Sequence, residues 1–469
     1  MIKKMNFESR LQHYSFLSAC TETAGELATQ VFIIGGFVRD LVLGRESSEI
    51  DFLVLENGTD FATTYAGKLG VKNVTVFKNF GTAHFRYQEY DLEFVGARKE
   101  SYERNSRKPT VFTGSFSDDI NRRDFTINTL AISLNKDNYG ELIDTYGGMI
   151  DIENKLIRTP IDPFITFDDD PLRIMRAFRF ASQLNFQIDE TVLQAANKLR
   201  DRLKIVSQER ITDEFLKILS SDAPATGLIQ LYKSGVLEII FPEIANLAGV
   251  DQRQDYHHKD VFYHTCMVVD NISKMTDNIW LRFAALVHDI AKPQTKKFVE
   301  GTGWTFHGHE ELGARMIKTL FKRMKLPFNK IEYVEKLVRL HLRPIALAKE
   351  EVTDSAIRRL IVAAGEDLAD LIILCRADIT SKNQEKVSRY LENYENVMKK
   401  VWEVEDKDKL RAFQSPVNGE EIMRICNLSP SRQVGEIKSA IEEAILDGKI
   451  GNNYDEALAY LMEIKRIML

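Results

Sequence analysis

The pattern of apolar and polar positions changes character near residue 156. Before that point, short runs rich in β-branched and aromatic residues alternate with turns, for example FIIGG at 32–36 and IDFLVL at 50–55. After Pro160, apolar residues recur at helical spacing, as in LRIMRAFRFASQL at 172–184 and ITDEFLKILSS at 211–221. The pattern predicts an α+β protein in which a small mixed sheet-and-helix head is followed by all-α segments.

These changes predict four domains. The head occupies 1–156, and a helical neck follows at 157–250. Seven of the nine histidines fall between His257 and His341 on a helical background, which sets apart a body at 251–385. The remainder, 386–469, is charged and helical and is predicted to form a tail.

Composition narrows the class of protein. A net charge of −6 over 469 residues argues against a strongly basic nucleic-acid binder, so any RNA contact must come from local basic strips. The four cysteines are too scattered for a disulfide framework or a metal site, which fits a reducing compartment. No apolar run is long enough to cross a bilayer or to form a signal peptide. We therefore expect a soluble, cytoplasmic protein with no membrane partner.

The most informative segment is VFIIGGFVRD at 31–40. Its apolar run ends at Gly35-Gly36, which predicts a strand entering a tight turn whose backbone can approach a polyphosphate closely. Arg39, on the helix expected next, offers a guanidinium fork to phosphate oxygens. The segment is predicted to hold the phosphates of a nucleotide.

Acidic residues follow at a spacing of two. On a strand, Glu49 and Asp51 project from the same face, as the ligands of two metal ions must in a nucleotide-polymerising site. Glu93, in the alternating stretch Asp91-Leu92-Glu93, is the predicted third carboxylate, and these three acids are the predicted catalytic residues. Carboxylate and phosphate oxygens suit Mg²⁺. A glycine turn or an acidic triplet alone indicates only a turn or a solvated strand end, but their order and closeness here favour nucleotidyl transfer.

Arg122-Arg123-Asp124 forms the next cluster. By itself, a basic pair before an acid is typical of a solvated helix end. Beside the acidic strand, Arg123 is predicted to contact phosphate and Asp124 to accept a hydrogen bond from a ribose hydroxyl.

A third cluster begins at Asp170. Pro171 suits a first helical position, which would make Asp170 an ordinary N-cap. That explanation leaves out Arg173, Arg176 and Arg179, because a stripe of like charges costs stability unless an anion faces it. If Asp170 and Arg173 face a base, the carboxylate and guanidinium match the amino group and bare ring nitrogen of cytosine and adenine, and mismatch uracil and guanine. One pair could then select both nucleotides without a template.

GGFVRD, the EID acidic pair, RRDFTIN and DDPLRIMRAFRF, in this order and at these separations, resemble the class II tRNA nucleotidyltransferase and bacterial poly(A) polymerase family. The resemblance covers nearly the whole chain and is closest to CCA-adding enzymes. It implies a head, neck, body and tail architecture with a palm-like catalytic sheet, and Mg²⁺-dependent addition of C, C and A to tRNA 3′ ends from CTP and ATP.

The resemblance also implies a role for each matching residue. These are the metal carboxylates Glu49 and Asp51, the triphosphate contacts Gly36, Arg39, Arg123 and Arg176, the ribose contact Asp124, and the base-reading pair Asp170 and Arg173. The family usually has aspartate at the position of Glu49, so direct ligation is better supported for Asp51 than for Glu49.

The histidine region predicts a second metal site. The spacing of His264, His288-Asp289 and Asp378 is that of an HD metal-dependent phosphohydrolase domain, and His307 and His309 could widen the site to two metals. Lys292 is close enough in sequence to contact a phosphate. Imidazoles beside carboxylates suit Mn²⁺, Fe²⁺, Ni²⁺ or Zn²⁺ rather than Mg²⁺. The resemblance implies phosphatase or cyclic phosphodiesterase action on RNA ends, although the related pattern has glycine at the position of Ala291.

Other activities share these motifs. The chain could be a poly(A) polymerase, could add only CC or only A, or could be an HD phosphohydrolase whose head senses nucleotides, an alternative suggested by Glu49. We expect tRNA, CTP and ATP as partners, and a monomer or homodimer. The predicted RNA contacts are two basic strips: Arg98, Lys99, Arg104, Arg107 and Lys108, and Lys399 with Lys400.

Overall fold

The structure is a computed structural model that describes residues 5–77, 81–101, 110–250, 260–301, 303–347, 353–380, 384–408 and 414–468. The chain divides into two compact units, with the break between Phe241 and Pro242. The four predicted domain bounds remain predictions.

The first unit contains a mixed sheet and the helices around it. Its strands are β1 Val31–Ile34, β2 Glu49–Val54, β3 Thr75–Phe77, β4 Thr82–Tyr87, β5 Tyr90–Gly96, β6 Arg98–Ser101, β7 Thr110–Thr113, β8 Ala131–Ser133, β9 Leu142–Ile143, β10 Leu156–Ile157 and β11 Gln187–Ile188. Its helices are α1 Glu8–Leu11, α2 Leu17–Glu26, α3 Gly36–Leu43, α4 Gly58–Lys68, α5 Phe116–Asn121, α6 Gly148–Glu153, α7 Pro163–Asp169, α8 Leu172–Leu184, α9 Glu190–Leu199, α10 Gln208–Leu219, α11 Pro224–Lys233 and α12 Val236–Ile240. Short 3₁₀ turns occur at Thr126–Asn128, Lys136–Asn138 and Arg200–Ile205.

Seven strands form the main sheet in the order β3-β4-β5-β2-β1-β8-β9. Only the β2 and β5 pair is parallel among these neighbours, and the other pairs are antiparallel. The apolar face is anchored by Phe52 and Phe94, whose rings stack with centroids 4.6 Å apart, and Phe61 and Tyr65 of α4 pack over Phe94. The polar ends of β2 and β5 are thereby held side by side.

The helices after the sheet pack on α8. Gly227 of α11 lies so close to α8 that its N–H donates to Ser182 Oγ at 2.9 Å, and a Cβ there would stand 2.3 Å from that oxygen. Phe178 of α8 and Phe215 of α10 are completely buried. This packing fixes the face of α8 that carries the three arginines.

The second unit is mainly helical. Its helices are α13 Pro242–Ala245, α14 Val261–Ser273, α15 Ile279–Val287, α16 Lys292–Thr295, α17 His309–Met324, α18 Ile331–Leu340, α19 Leu342–Leu347, α20 Asp354–Ala364, α21 Leu368–Asp378, α22 Gln384–Asp408, α23 Gly419–Cys426, α24 Arg432–Leu446 and α25 Tyr454–Met468, with 3₁₀ turns at Phe328–Lys330 and Gly365–Asp367. A small hairpin joins β12 Lys297–Val299 to β13 Gly303–Thr305. The last three helices enclose an apolar cluster of their own.

The α+β class predicted from the sequence is confirmed, with the main sheet confined to the head and helices dominating after it. Within the described ranges, no helix is both long enough and apolar enough to span a bilayer.

Candidate functional site

Four carboxylates share one face of the sheet where β2 and β5 run side by side. The parallel register pairs Glu49 with Asp91 and Asp51 with Glu93. Ile50 between the first two acids is fully buried on the opposite face, as the two-residue period of a strand requires. The structure therefore brings together the three predicted catalytic acids.

The environment of Asp51 favours a bound cation. Burial raises the pKa of Asp51 to about 6; Arg123 opposes the rise, and the neighbouring charges of Glu93 and Glu49 add to it. Crowded carboxylates of this kind are stabilised by a divalent ion, whose charge offsets their repulsion. Asp91 is engaged differently, because His84 Nε2 lies 3.4 Å from its Oδ1. The carboxylate oxygens of Glu49, Asp51 and Glu93 are of the kind that Mg²⁺ prefers, and their role as ligands stays a prediction.

The glycine turn lies against this acidic face. Gly35 has φ +78°, a left-handed conformation that favours glycine, and α3 begins at the next residue. A Cβ on Gly35 would stand 3.2 Å from Arg123 Nη1 and 3.5 Å from Asp51 Oδ2. The turn, the acid and the predicted phosphate contact therefore adjoin one another, and the left-handed backbone at position 35 favours glycine there.

A chain of polar contacts joins the predicted phosphate and ribose residues. Asn128 Oδ1 accepts from Arg39 Nη1 at 2.9 Å, and Asn128 Nδ2 donates to Asp124 Oδ1 at 3.0 Å. Arg176 Nε donates to the other oxygen of Asp124 at 2.6 Å. Although burial raises it, the pKa of Asp124 is held well below its usual range by Arg176 and Asn128. Asn128 was not predicted from the sequence, although it belongs to the quoted RRDFTIN motif.

Three guanidiniums surround one buried ring. Arg39, Arg176 and Arg179 lie 5.1, 5.4 and 4.3 Å from the centroid of Phe180. Arg179 also pairs with the buried Glu214, Nη1 to Oε1 at 3.2 Å. The arginine stripe is therefore partly compensated by carboxylates of the chain, and the ring orients the three cations by cation–π contact. Neither Phe180 nor Glu214 was singled out from the sequence.

Asp170 and Arg173 are both held by backbone groups. The helix α8 begins at Leu172, one residue later than expected, and Asp170 Oδ1 accepts from the N–H of Leu172 at 3.1 Å. Arg173 is 8% exposed and donates to the carbonyls of Thr166, at 3.3 Å, and Arg122, at 2.5 Å. Asp170 thus accepts a hydrogen bond at the start of α8, as a capping residue does. The base-reading role of Asp170 and Arg173 stays a prediction.

Asp119 is a site residue that sequence reasoning missed. Its fully buried carboxylate accepts from Arg122 Nε at 2.9 Å and from Arg123 Nη2 at 3.1 Å. Arg123 Nε is buried without a hydrogen-bond partner among the described residues. The signal in the sequence was the helical spacing of three and four residues between Asp119 and the arginine pair.

The described part of the second unit contains two groups of histidine and carboxylate side chains that could each hold a metal ion. One contains His264, His288 and Asp378; the other contains Asp289, His309 and His341; in each, ligand atoms lie within 4.8 Å of one another. His288 Nε2 is buried and has no hydrogen-bond partner in the described part of the chain, which fits a site that takes a metal. His288 Nδ1 is 2.7 Å from the carbonyl of Ala285, a contact that leaves Nε2 for ligation.

Asp289, a member of the second group, also lies next to the histidines of the first. Its Oδ2 is 3.2 Å from His288 Nε2 and 3.8 Å from His264 Nε2, and its Oδ1 is 3.2 Å from His309 Nε2 and 3.9 Å from His341 Nε2. Burial lowers the pKa of His341 to about 3, and the neighbouring His288 adds to that shift. Although burial lowers it, the pKa of His288 is raised to about 10 by Asp289 and Asp378.

The structure corrects the predicted ligand set in one respect. His307 is exposed and belongs to neither group, whereas the fully buried His341 takes that place. His341 was hidden in the apolar helical pattern VEKLVRLHL. Lys292 is in reach of the cluster, with its Nζ 2.6 Å from Asp289 Oδ2.

The predicted basic strips are only partly described. Arg98 is half-buried and Lys99 exposed on β6, and Lys399 and Lys400 are exposed on α22. Arg104, Arg107 and Lys108 lie outside the described residues. RNA contact by either strip stays a prediction.

Comparisons with known proteins match three stretches of the chain. Residues 31–158 match the family described as the poly A polymerase head domain, 185–247 a probable RNA and SrmB-binding site of polymerase A, and 261–383 the HD domain. A solved tRNA nucleotidyltransferase, in complex with a primer tRNA and an incoming ATP analogue, is 27% identical with TM-score 0.58 and covers 81% of this chain and 99% of its own.

Three curated relatives have similar identity. The A-adding tRNA nucleotidyltransferase of Deinococcus radiodurans is 31% identical over 441 residues, 92% of this chain and 94% of that protein. The A-adding tRNA nucleotidyltransferase of Aquifex aeolicus is 32% identical over 382 residues. The aligned part is 75% of this chain but only 45% of that relative's length. The multifunctional CCA protein of Vibrio parahaemolyticus is 31% identical over 74% of this chain and 85% of that protein.

The fold and the carboxylate face thus define a nucleotidyltransferase. The chain belongs to the tRNA nucleotidyltransferase and poly(A) polymerase family and carries an HD domain, as the resemblance had indicated.

Proposed function

We propose that the chain adds CCA to tRNA 3′ ends from CTP and ATP, without a template. The observation that carries this proposal is the carboxylate face of Glu49, Asp51 and Glu93 beside the Gly35 turn and Arg123. Mg²⁺, when bound there, supplies charge neutralisation at the triphosphate and activation of the 3′-hydroxyl.

The side chains of the head position the triphosphate. Arg39, Arg123 and Arg176 offer guanidinium groups to its oxygens, and the turn at Gly35 and Gly36 allows the backbone to approach them. Arg176 and Asn128 keep Asp124 ionised. Its carboxylate accepts a hydrogen bond from a ribose hydroxyl. Contacts with the Phe180 ring restrict the guanidinium groups of Arg39, Arg176 and Arg179. Less side-chain conformational entropy is therefore lost when a nucleotide binds.

Base selection is assigned to Asp170 and Arg173. We expect Arg173→Ala to raise incorporation of UTP and GTP relative to CTP and ATP by at least about tenfold, since the hydrogen-bonding edge that rejects the wrong bases is lost. Arg173→Lys is the matched control, because it keeps the charge but not the fork. A variant with unchanged fidelity and an unchanged melting temperature would contradict this assignment.

Product sequencing tests the reaction itself. Purified protein receives Mg²⁺, CTP, ATP or both, with one tRNA lacking CCA and another ending in CC. We expect two C residues from CTP alone and CCA from both nucleotides. Because relatives include both A-adding and CCA proteins, extension of only the CC-ending tRNA would reassign the chain to A addition, and long A tails would overturn the proposal.

A second activity is favoured by the arrangement of Asp289. We propose that the HD domain binds two transition-metal ions, drawn from Mn²⁺, Fe²⁺, Ni²⁺ or Zn²⁺, and hydrolyses phosphate esters at RNA ends. Support comes from the two carboxylate oxygens of Asp289, each directed at a different histidine group, and from Lys292, which is placed to contact a phosphate. Metal analysis should find two ions per chain, and His288→Ala should abolish phosphate release while leaving tRNA extension intact.

A further inference from the structure

The hairpin of β12 and β13 lies between Asp289 and His309 along the chain. It follows α16, which begins at Lys292, and it leads into α17, which begins at the ligand His309. The main-chain carbonyl of Phe306 is 2.7 Å from His309 Nδ1. The hairpin is therefore tethered to the metal-ligand cluster at both of its ends.

One face of the hairpin is aromatic. Phe298 and Trp304 are paired across the strands, with ring centroids 5.3 Å apart in an edge-to-face arrangement. Directly opposed residues share a face, which places Phe298 and Trp304 on the same side of the hairpin. Phe306 directly follows β13, which ends at Thr305. Phe298 is 51% exposed, so the outer part of this face is not covered by the hairpin itself.

Lysines alternate with these rings. Lys296 Nζ lies 4.5 Å from the centroid of Trp304, and Lys292 Nζ lies 5.6 Å from the centroid of Phe306. The same Lys292 ammonium is 2.6 Å from Asp289 Oδ2. A continuous path of rings and cations therefore leads from the metal-ligand cluster to the exposed Phe298.

We propose that this face binds the nucleotides next to the phosphate on which the HD cluster acts, so that the ligand is a single-stranded RNA end. Bases stack on exposed aromatic rings irrespective of sequence, and lysines neutralise the phosphates between them. A ligand that is only apolar would leave Lys292 and Lys296 without a role, and a simple phosphate would leave Phe298 and Trp304 without one. The inference rests on the proposed phosphohydrolase and names its substrate class.

The first experiment compares two substrates of the metal-loaded protein. One is an RNA trinucleotide ending in a 2′,3′-cyclic phosphate, and the other is glycerol 1,2-cyclic phosphate, which has neither a base nor an aromatic ring. For Trp304→Ala and Phe298→Ala, we expect the KM for the trinucleotide to rise about tenfold, since stacking on one ring contributes that much to binding. The ratio of the two KM values should therefore rise by the same factor. Phe328→Ala is the matched control, because Phe328 is 66% exposed on a different element.

A second measurement separates this inference from the phosphohydrolase activity. Binding of the corresponding trinucleotide with a free 3′-hydroxyl, which has no terminal phosphate to hydrolyse, to the metal-loaded protein is followed by calorimetry. Weaker binding by Trp304→Ala and Phe298→Ala but not by Phe328→Ala would support the inference even if no variant hydrolysed either substrate. Equal trinucleotide affinity and KM in all four proteins would overturn it, whatever the hydrolytic activity.

Discussion

The carboxylate face of the head and the histidine cluster of the second unit form candidate metal sites in different ways. The head uses Glu49, Asp51 and Glu93, which come from two neighbouring strands, and two of these three acids are exposed. The histidine cluster takes ligands from five separate places between His264 and Asp378, and most of them are buried. Strand register alone aligns the first set, whereas the second depends on the packing of α14, α15, α17, α18 and α21.

The difference predicts how each site responds to its metal. Exposed carboxylates are hydrated, so Mg²⁺ can exchange there with each nucleotide. Buried imidazoles and carboxylates are costly without mutual compensation, and a resident ion supplies that compensation. The head is thus suited to a metal that arrives with the substrate, and the HD cluster to a metal that stays.

Removing a predicted metal ligand from the head should give the largest effect on tRNA extension. It should also separate the activity of the head from that of the HD cluster. We expect Asp51→Ala to lower tRNA extension by roughly 10³-fold, because the charge that develops at the triphosphate loses its stabilisation. The same variant should release phosphate from RNA ends at the normal rate. Loss of both activities together, with a normal melting curve, would show that the two sites are not independent.

A bridging carboxylate makes a second prediction about the HD cluster. Asp289→Asn should reduce the bound transition metal from two ions per chain to at most one, since an amide offers only one oxygen. Mass spectrometry of the dialysed protein measures this content, and tRNA extension serves as the internal control. Two tightly held ions in the variant would rule out a bridge through Asp289.

Within the head, Asp119 should affect nucleotide binding because its carboxylate positions the guanidinium groups of Arg122 and Arg123. We expect Asp119→Asn to raise the KM for CTP and ATP by about tenfold, with a smaller change in kcat, because Arg123 loses a charge-assisted hydrogen bond. Asp119→Glu should recover part of the affinity. Asp118→Asn is the neighbouring control, since the Asp118 side chain forms the capping box with Ser115; it should be somewhat less stable than wild type and should keep its KM. Equal KM values for Asp119→Asn and wild type would refute the positioning role.

The smallest effect expected is on stability. Asp124→Asn should lower the free energy of unfolding at pH 7 by about 2 kcal/mol, because Arg176 is left partly buried without its partner. Since the pKa of Asp124 is lowered in the folded state, its contribution is fully present above the unfolded value of about 4 and is lost as the pH falls below it. Denaturant unfolding at several pH values measures the gap between the two proteins. A gap that stayed constant down to pH 2 would contradict the ion pair.

The sequence predicted the head better than the histidine cluster for a physical reason. Glu49 and Asp51 are two residues apart on one strand, so their shared face follows from local geometry. Asp119 also lies close in sequence to its arginines, but an acid in a short helix carries no sign that it will be buried. His341 could not be distinguished from a core histidine, because only tertiary packing brings it to Asp289.

The arginines of α8 show a similar limit. The spacing of Arg173, Arg176 and Arg179 revealed a common face, and that face was interpreted as awaiting an external anion. The structure supplies Asp124 and Glu214 from other elements. Sequence spacing shows which charged residues share a helix face. It does not show which carboxylates from other elements will pair with them in the folded protein.

Anomalous scattering from crystals grown with Mn²⁺ and CTP tests the central claim most directly. The account predicts manganese within coordination distance of both Asp51 and the CTP phosphates, with the phosphates against the Gly35 turn and Arg123. Manganese confined to the histidine cluster, with CTP bound away from Asp51, would contradict it.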